Sequence, residues 1–563
     1  MIYHCEDHTC NYWDEGEKLP ERCPQCGRKL LRANEADMTG DDWTALGNTL
    51  WDAEASDKKR MVDCFRKAAY LGSAWGVCNL GICMEQGNGV EADPVQAFWL
   101  YQQAVEMGSL NAVCCLGVCY EYGIGTAPDA KQAAELYCKA AEYGSPRGQM
   151  LLAHAFHDGI GVEADAAEAV HWVRAAAYQR YGEGMYWLGV CYEYGDGVEQ
   201  NWEHAVHWFR EAAESGVSAA MTDLGYCYEK GCGVEQSWEQ AFSWYRRGAE
   251  CGNPVSMSNL GLCYKRGYGV EQNWQEAVKW YEQGAQCGDL QSMNNLACCY
   301  EDGEGVEQNE ERALYWYRRG AEAGSDYCMY CLGWNYSNGE GVEQNMTEAI
   351  RWYTAAAEGG NADAMHDLGW LYDHGEGVEQ DMKKAICWYE RAAEQNCPAA
   401  MNSLGECYAM GRGVPRDLET AMEWYRRAAE LGEAMADYNM GWHLEQAGKL
   451  SEAYAHYRKA ADGNDDSAWW ALGRFYENGV VVAQDGKEAR RCYETGEKLG
   501  SVKCKMRLAR CKLLGIGGRR AKKAGLDLCR QALELAKESS EKEDYGYEAE
   551  MNLLRRTIAE NES

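Results

Sequence analysis

The hydrophobic positions between residues 217 and 252 form two series with helical spacing. The first places apolar or small residues at i, i+3, i+4 and i+7, namely Met221, Leu224, Gly225 and Tyr228. The second contains Trp238, Ala241, Phe242, Tyr245 and Ala249. A Gly-x-Gly turn separates the two series, and Gly252 follows the second where a helix end favours positive φ. This pattern predicts two helices joined by a glycine loop.

The same pattern recurs along the chain with a constant step. A small residue at the place of Gly225 returns every 36 residues, at positions 81, 117, 153, 189, 225, 261, 297, 333, 369, 405 and 441. Glycine inside a helix costs about 1 kcal/mol relative to alanine, so its recurrence indicates a helix backbone packed tightly on its neighbour. Self-similarity at this period is typical of a solenoid. The predicted fold class is therefore an all-α solenoid.

The repeated unit resembles the Sel1-like repeat family, which is related to the tetratricopeptide repeats. Its pattern is A-M-x-x-L-G-x-C-Y-x-x-G-x-G-V followed by A-x-x-W-Y-x-x-A-A-E-x-G, and it stands almost whole in residues 219–252 and 364–394. The resemblance covers about residues 39–536. It implies a right-handed α-solenoid of about 14 helix pairs. It also implies a protein-interaction scaffold without catalysis of its own.

Three segments follow from this organisation. Residues 1–36 lie outside the repeat, residues 39–536 form the solenoid, and residues 537–563 contain a capping helix. The unit at 433–464 is four residues short, because a turn at 446–450 replaces the glycine loop. Within residues 541–560, one helix face carries Tyr547, Met551, Leu554 and Ile558. Such a helix would cover the open apolar face on which a repeat stack otherwise ends.

Residues 1–36 contain two pairs of cysteines at metal-ligand spacing. Cys5 and Cys10 are separated by four residues, whereas Cys23 and Cys26 are separated by two, in a Cys-Pro-Gln-Cys-Gly-Arg-Lys stretch that looks like a zinc-ribbon knuckle. Four thiolates would bind one structural Zn²⁺ in a closed tetrahedral site. A nearby histidine could replace a cysteine of the first pair. The alternative is a cysteine-containing tail without a metal.

The charge of the chain argues against nucleic acid or an anionic membrane as the partner of the whole molecule. The formal net charge is −34. Residues 486–530 are the exception, with 14 Lys and Arg against 4 acidic residues. This segment is either a solvated terminal repeat or a basic patch for an acidic partner, including the acidic body of another copy. A nucleic-acid-associated factor that uses this segment and the zinc ribbon is the alternative function.

The 28 cysteines invite a disulfide interpretation, which their spacing does not favour. Eight share one position of the first helix, and no matching cysteine recurs in the second: Cys83, Cys119, Cys191, Cys227, Cys263, Cys299, Cys407 and Cys511. A free cysteine packs as a small buried hydrophobe. The chain has no recognisable signal region and no 18-residue apolar run, so we expect a cytoplasmic protein that does not enter the membrane.

The resemblance to tetratricopeptide-like repeats suggests which positions line a concave groove. They lie three before, one after and four after the recurring glycine. The candidate partner-binding residues at these positions are Thr222, Tyr226, Glu229, Tyr330, Trp334, His366, Trp370, Tyr438 and Trp442. Their identities vary between units while the packing positions stay constant, so the packing of the repeat does not dictate them.

An aromatic groove with acidic walls would favour a protein or peptide that carries basic and apolar side chains. Exposed aromatic residues are common anchors of interfaces. Alternatively, these tryptophans simply pack on the helix of the next repeat.

Catalysis is not expected. We find no nucleophile paired with a base, no open metal site and no phosphate loop, since the Gly-x-Gly turns are followed by acidic residues and not preceded by a strand. Those loops instead place a glutamate at equivalent positions, predicting an acidic ridge: Glu163, Glu199, Glu235, Glu271, Glu307, Glu343 and Glu379. A non-catalytic regulatory subunit of an enzyme complex remains an alternative.

Overall fold

A computed structural model of the protein describes residues 2–5, 13–15, 30–32, 35–51, 55–542 and 547–562. Three short strands form an antiparallel sheet in the order β2-β1-β3: β1 (Ile2–Cys5), β2 (Trp13–Glu15) and β3 (Leu30–Arg32). Tyr3 is paired with Asp14 of β2 and with Arg32 of β3. A single 3₁₀ turn, Glu35–Asp37, precedes the first α-helix.

Everything after this turn in the described chain is helical, apart from connecting loops. The helices are α1 (Gly40–Thr49), α2 (Ala55–Tyr70), α3 (Ala74–Gln86), α4 (Pro94–Glu106), α5 (Leu110–Tyr122), α6 (Ala130–Glu142), α7 (Pro146–Asp158), α8 (Ala166–Tyr178), α9 (Gly182–Tyr194), α10 (Trp202–Glu214), α11 (Ser218–Lys230), α12 (Trp238–Glu250), α13 (Pro254–Arg266), α14 (Trp274–Gln286), α15 (Leu290–Asp302), α16 (Glu310–Glu322), α17 (Asp326–Asn338), α18 (Met346–Glu358), α19 (Ala362–His374), α20 (Met382–Glu394), α21 (Pro398–Met410), α22 (Leu418–Glu430), α23 (Ala434–Gln446), α24 (Leu450–Asp462), α25 (Asp466–Asn478), α26 (Gly486–Lys498), α27 (Val502–Leu514), α28 (Lys522–Lys542) and α29 (Glu548–Glu562).

The described helices α1 to α28 form 14 consecutive pairs, which confirms the predicted α-solenoid of helix-pair repeats. The chain divides into two compact units, one of residues 1–292 with 304–306 and the other of residues 293–303 with 307–563. Each unit contains the same helix-pair repeat. Among the described helices, none is long and apolar enough to cross a bilayer.

The ends of the helices follow from the loop sequence. Helix α11 stops at Gly231, whose φ of +75° is left-handed and whose N–H donates to the carbonyl of Cys227 at 2.8 Å. Gln236, in the Gly-Val-Glu-Gln stretch that follows, donates from Nε2 to the carbonyl of Glu229 at 2.8 Å. Ser237 then caps α12 by accepting the N–H of Gln240. One short loop therefore satisfies the end of one helix and the start of the next.

The recurring glycine inside each first helix receives an aromatic ring from the second. A Cβ at Gly225 would lie 2.6 Å from Cε1 of Tyr245, which is closer than carbon atoms can approach. Tyr245 is almost fully buried. The same glycine–aromatic contact occurs at, among others, Gly81–Tyr101, Gly117–Tyr137, Gly189–Phe209, Gly333–Tyr353, Gly369–Tyr389, Gly405–Tyr425 and Gly473–Tyr493. The glycine thus makes room for a buried ring. Burial of that ring stabilises the repeat by more than the helix propensity that glycine costs.

The second glycine of the Gly-x-Gly loop is explained by a different contact. Gly233 has a φ of +69°, and a Cβ there would overlap the carbonyl of Trp202 at the start of the preceding second helix. The loop therefore lies directly on the neighbouring repeat, and glycine permits both the conformation and the contact, although Val481 holds the equivalent position in the repeat of α25 with a φ of +64°.

The cysteines of the first helices are buried, as their packing role requires. Seven of the eight at the shared position are at most 2% exposed, and Cys191 is 9% exposed. The same position is occupied by buried apolar residues of other types at Ala155, Leu371 and Phe475. This position therefore accepts apolar side chains of several sizes.

Helix α29 covers the end of the second unit. Tyr547, Met551 and Leu554 are buried against residues of α27 and α28, and Ile558 packs beside them. Glu550 of α29 is also buried and accepts from Arg507 Nε at 2.6 Å. The predicted apolar face is therefore used as expected, although the helix begins at Glu548 and residue 541 belongs to the end of α28.

Candidate protein-binding surface

The position one after the recurring glycine is exposed in the four repeats where it holds a candidate aromatic residue. Tyr226 and Trp442 are each 43% exposed, and Trp334 and Trp370 are each 38% exposed. These side chains rest partly on their own helix: Trp370 stacks on His374 with ring centroids 4.2 Å apart, and Trp442 meets His443 edge-on at 4.7 Å. Large aromatic surface at this position is thus presented to solvent in both units.

The position three before the glycine lies deeper than the sequence suggested. Thr222 is only 8% exposed, and its Oγ1 lies 2.6 Å from Oγ of Ser256 in the next repeat. Asn402, at the same position of another repeat, is buried as well. Thr222 therefore contributes to the packing between repeats, and its contact with a partner stays a prediction. Where the position carries a large ring, as at Tyr330 and Tyr438, the side chain is half-buried and reaches the surface.

The position four after the glycine has an internal partner. Glu229 accepts the hydroxyl of Tyr245 at 2.8 Å, and its other oxygen lies 2.7 Å from Lys230 Nζ. Burial is the main reason that the pKa of Tyr245 is raised, and the neighbouring carboxylate raises it further. The same tyrosine–glutamate bond joins the two helices in other repeats, at Tyr101–Glu85, Tyr137–Glu121, Tyr317–Glu301, Tyr457–Glu445 and Tyr493–Glu477. These glutamates hold the repeat together and are not purely a groove wall.

Two of the predicted residues, Tyr330 and Trp334, line one cavity of about 580 Å³ in the second unit. It lies between α15, α16 and α17, and Tyr317 and Tyr327 bring the aromatic side chains that line it to four, with Tyr327 one turn before Tyr330. The rings of Tyr327 and Tyr330 meet at 6.4 Å. Trp370 and Trp442 do not line this cavity.

The cavity is strongly acidic. Four carboxylates line it, and no lysine or arginine is among its lining residues; the four are Glu301, Asp302, Glu310 and Glu340. The pKa of Glu301 is raised, chiefly by burial and further by Asp302 and Glu340, against the hydrogen bond from Tyr317. The carboxylates of this cavity therefore lack a matching positive charge within its walls, and a cation placed among them would lower their mutual repulsion.

The remaining predicted residues are half-buried and engaged locally. His366 Nδ1 lies 3.1 Å from Asp367 Oδ1, and its Nε2 lies 3.4 Å from Ser403 Oγ. Burial raises the pKa of Tyr438 to about 12, and its ring tilts against Tyr457 at 5.6 Å. They form smaller contacts along the surface of the second unit rather than one joint site.

Several lining residues of the cavity were missed from the sequence. Tyr327 and Cys331 precede the recurring glycine by six and two residues, positions outside the three considered. Glu340 lies in the loop after α17, and Glu310 begins α16. The run Tyr-Cys-Met-Tyr-Cys at 327–331, unlike its counterparts in other repeats, was the available signal.

Some basic side chains of segment 486–530 are engaged in contacts inside the fold. Arg507 pairs with both Glu550 and Glu477, and Arg510 also pairs with Glu477. Lys503 lies over the ring of Trp470 at 5.3 Å, and burial lowers its pKa. Part of the exposed remainder is clustered where the α27–α28 loop meets the start of α28, at Arg519, Arg520, Lys522 and Lys523. This reduces the charge available to nucleic acid.

The predicted zinc site falls largely outside the described residues. Cys5 ends strand β1, whereas Cys10, Cys23 and Cys26 belong to the part that the structure does not describe. Elsewhere, the described residues contain no group of three or more His, Cys, Asp or Glu side chains placed to hold a metal ion. Structural zinc at these cysteines stays a prediction.

The seven loop glutamates of the predicted acidic ridge are all exposed.

Comparison with known proteins agrees with this repeat. The family described as Sel1 repeat matches twelve segments: 76–109, 112–145, 146–181, 182–217, 218–253, 254–289, 290–325, 326–361, 362–397, 398–433, 434–465 and 468–501. No curated protein matches the chain significantly.

Solved structures of repeat proteins resemble the chain. One, a protective antigen of uropathogenic Escherichia coli strains, has 29% identity and a TM-score of 0.53, covering 76% of this chain and 94% of its own. A Sel1 repeat protein from Oxalobacter formigenes has 28% identity and a TM-score of 0.45, covering 56% of this chain and 94% of its own. With its twelve matched segments and their shared helix-pair geometry, the chain belongs to the Sel1 repeat family.

Proposed function

We propose that this chain is a non-catalytic scaffold that binds a partner protein through the aromatic and acidic surface around Trp334. The partner segment carries a lysine or arginine beside apolar side chains. The observation that supports this most directly is the cavity of about 580 Å³, with four aromatic rings, four carboxylates and no basic side chain among its lining residues. Repeat solenoids commonly use extended surfaces of this kind for binding.

The chemistry of recognition follows from the two kinds of side chain that line the cavity, carboxylates and aromatic rings. A cationic head would be attracted to the carboxylates and to the faces of the aromatic rings, and such contacts gain strength when water is excluded. The apolar stem of the same side chain would lie along Trp334 and Tyr330. If the partner is an enzyme, the same binding makes this chain a regulatory subunit. Buried thiols in most repeats suit a reducing compartment such as the cytoplasm.

The test uses a random-peptide display library selected on the full-length protein, followed by anisotropy titrations of the best labelled peptide. We expect enrichment of Lys or Arg next to apolar residues. The double variant Trp334→Ala/Trp370→Ala should weaken binding by more than about 1 kcal/mol, or about fivefold. Trp99→Ala is the matched control, because Trp99 is 53% exposed but lies on a second helix.

Two results would contradict the proposal. One is a peptide affinity that is the same for the double variant and for Trp99→Ala. The other is a double variant whose circular dichroism and melting collapse together with binding, since the tryptophans would then be core residues. The nucleic-acid alternative predicts instead a steep loss of oligonucleotide binding with salt.

A further inference from the structure

One repeat of the first unit lacks the buried aromatic ring that other repeats share. At the place of Tyr245 the repeat of α7 and α8 has Val173, and opposite it stands Ala153 in place of the glycine. The residue four after Ala153 is His157, where most repeats with a tyrosine have a glutamate to accept its hydroxyl. The glycine, the ring and the acceptor of the repeat are thus all replaced together.

A cavity of about 400 Å³ lies at the place of the missing ring. It reaches the deep residues Met150 and Ala153, and Val173 forms part of its wall. The corresponding cleft of the repeat of α15 and α16 is bounded by Tyr317, and neither Asn294 nor Ala297, the counterparts of Met150 and Ala153, lines it. The cleft at Tyr317 has the larger volume, about 580 Å³, but it ends at that ring, whereas the cleft at Val173 extends inward to Met150 and Ala153.

The mouth of this cavity is polar, and its walls are apolar. Trp187 and His154 meet edge-on at 5.4 Å on one side. At the rim, His157 lies between two lining carboxylates, with Nδ1 2.6 Å from Asp158 Oδ1 and Nε2 3.2 Å from Asp196 Oδ2. These carboxylate oxygens retain capacity to accept a further hydrogen bond. The cavity therefore has an apolar interior with acceptors at one end, as the tyrosine position has in other repeats.

We propose that this cavity receives a tyrosine side chain of the partner protein, which replaces the ring that the repeat itself lacks. The inference rests on the proposed scaffold function and concerns a separate cavity in the first unit. The apolar walls take the ring, and Asp158 or Asp196 accepts its hydroxyl. His154, at the opening, is the residue one after the recurring small residue, the position that Tyr226 occupies in a later repeat of the same unit.

The experiment measures binding of p-cresol, the side chain of tyrosine, to the full-length protein by ligand-observed NMR titration. We expect saturable binding that is tighter than that of toluene, and N-acetyl-tyrosinamide should compete for the same site. Val173→Tyr should weaken p-cresol binding at least tenfold, because its own ring fills the space. Tyrosine opposite alanine is tolerated in this fold, as Ala297 and Tyr317 are equivalent positions and both are buried.

The controls separate filling from unfolding. Phe209→Tyr introduces the same residue at the equivalent position of the next repeat, where a ring is already present, and should leave p-cresol binding unchanged. Ala153→Gly/Val173→Tyr restores the usual pair, and it should block binding while melting no lower than the wild type. Absence of saturable binding, equal affinity for toluene, failure of N-acetyl-tyrosinamide to compete, or binding unaffected by Val173→Tyr would each overturn the proposal. None of these results depends on the peptide groove at Trp334.

Discussion

A buried aspartate at the start of α25 provides a sensitive test of how these repeats are stabilised. Asp465 caps this helix by accepting the N–H of Ala468 at 2.7 Å, and it is only 9% exposed. Burial raises its pKa from 3.8 to about 6, and the neighbouring Asp466 and Glu433 add to the shift although two backbone N–H groups oppose it. We predict that Asp465→Asn stabilises the protein above pH 6.

The direction in which stability changes with pH follows from proton linkage. Between pH 3.8 and about 6 the folded protein holds a proton on Asp465 that the unfolded chain has already released. Stability therefore falls as the pH rises through this window, and the full displacement corresponds to a loss on the order of 3 kcal/mol. Asparagine keeps the cap but has no charge to bury, although it gives up about 0.5–1 kcal/mol of favourable charge at a helix N-terminus. The expected net gain at pH 7 is about 2 kcal/mol.

The assay compares melting temperatures of the variant and the wild type from pH 4 to pH 8. The difference should be near zero at pH 4, grow between pH 4 and 6.5, and then level off. Asp417→Asn is the matched control: Asp417 caps α22 while fully exposed, and hydrogen bonds from Thr420 lower its pKa. This control should not become stabilising with rising pH. A melting difference for Asp465→Asn that is constant with pH, or negative at pH 7, would refute the reasoning.

Two further predictions remain. The first concerns the hydrogen bond that joins the paired helices, and the second concerns the zinc site. Tyr245→Phe removes a hydroxyl bonded to a carboxylate and should cost about 1–2 kcal/mol in denaturant unfolding, whereas Phe209→Tyr gives Glu193 a donor and should not destabilise. Equal stability of Tyr245→Phe and the wild type would contradict this. For the metal, native mass spectrometry should find one zinc per chain, lost in Cys23→Ser/Cys26→Ser; a metal-free wild type would refute the site.

The sequence was sufficient for the helix pairs because the relevant signal is local. Spacing of three and four residues defines each helix, and loop glycines such as Gly231 and Gly252 end them with positive φ, as predicted. The reason for Gly225 was predicted only in general terms. A close neighbour was expected, but the particular ring of Tyr245 could not be assigned without the crossing geometry of the two helices.

The candidate surface was predictable in part. Exposure of Trp334, Trp370 and Trp442 agrees with their assigned position, whereas the burial of Thr222 depends on a serine 34 residues later. Likewise, the acidic character of Glu229 is visible in the sequence, but its bond to Tyr245 joins residues 16 apart on different helices. Properties that depend on contacts between helices were the ones that spacing could not provide.

The cysteines buried at 36-residue steps have a consequence for following the opening of the molecule in time. Burial raises the pKa of Cys227 to about 12, so this thiol stays protonated and shielded until its own repeat separates. Cys251, Cys287 and Cys387, in contrast, are exposed and open to alkylation from the start. After those have been blocked, the order in which the buried thiols become alkylated would give the order in which individual repeats open. The buried thiols, one in most repeats, can therefore report how far the opening of one repeat spreads to its neighbours.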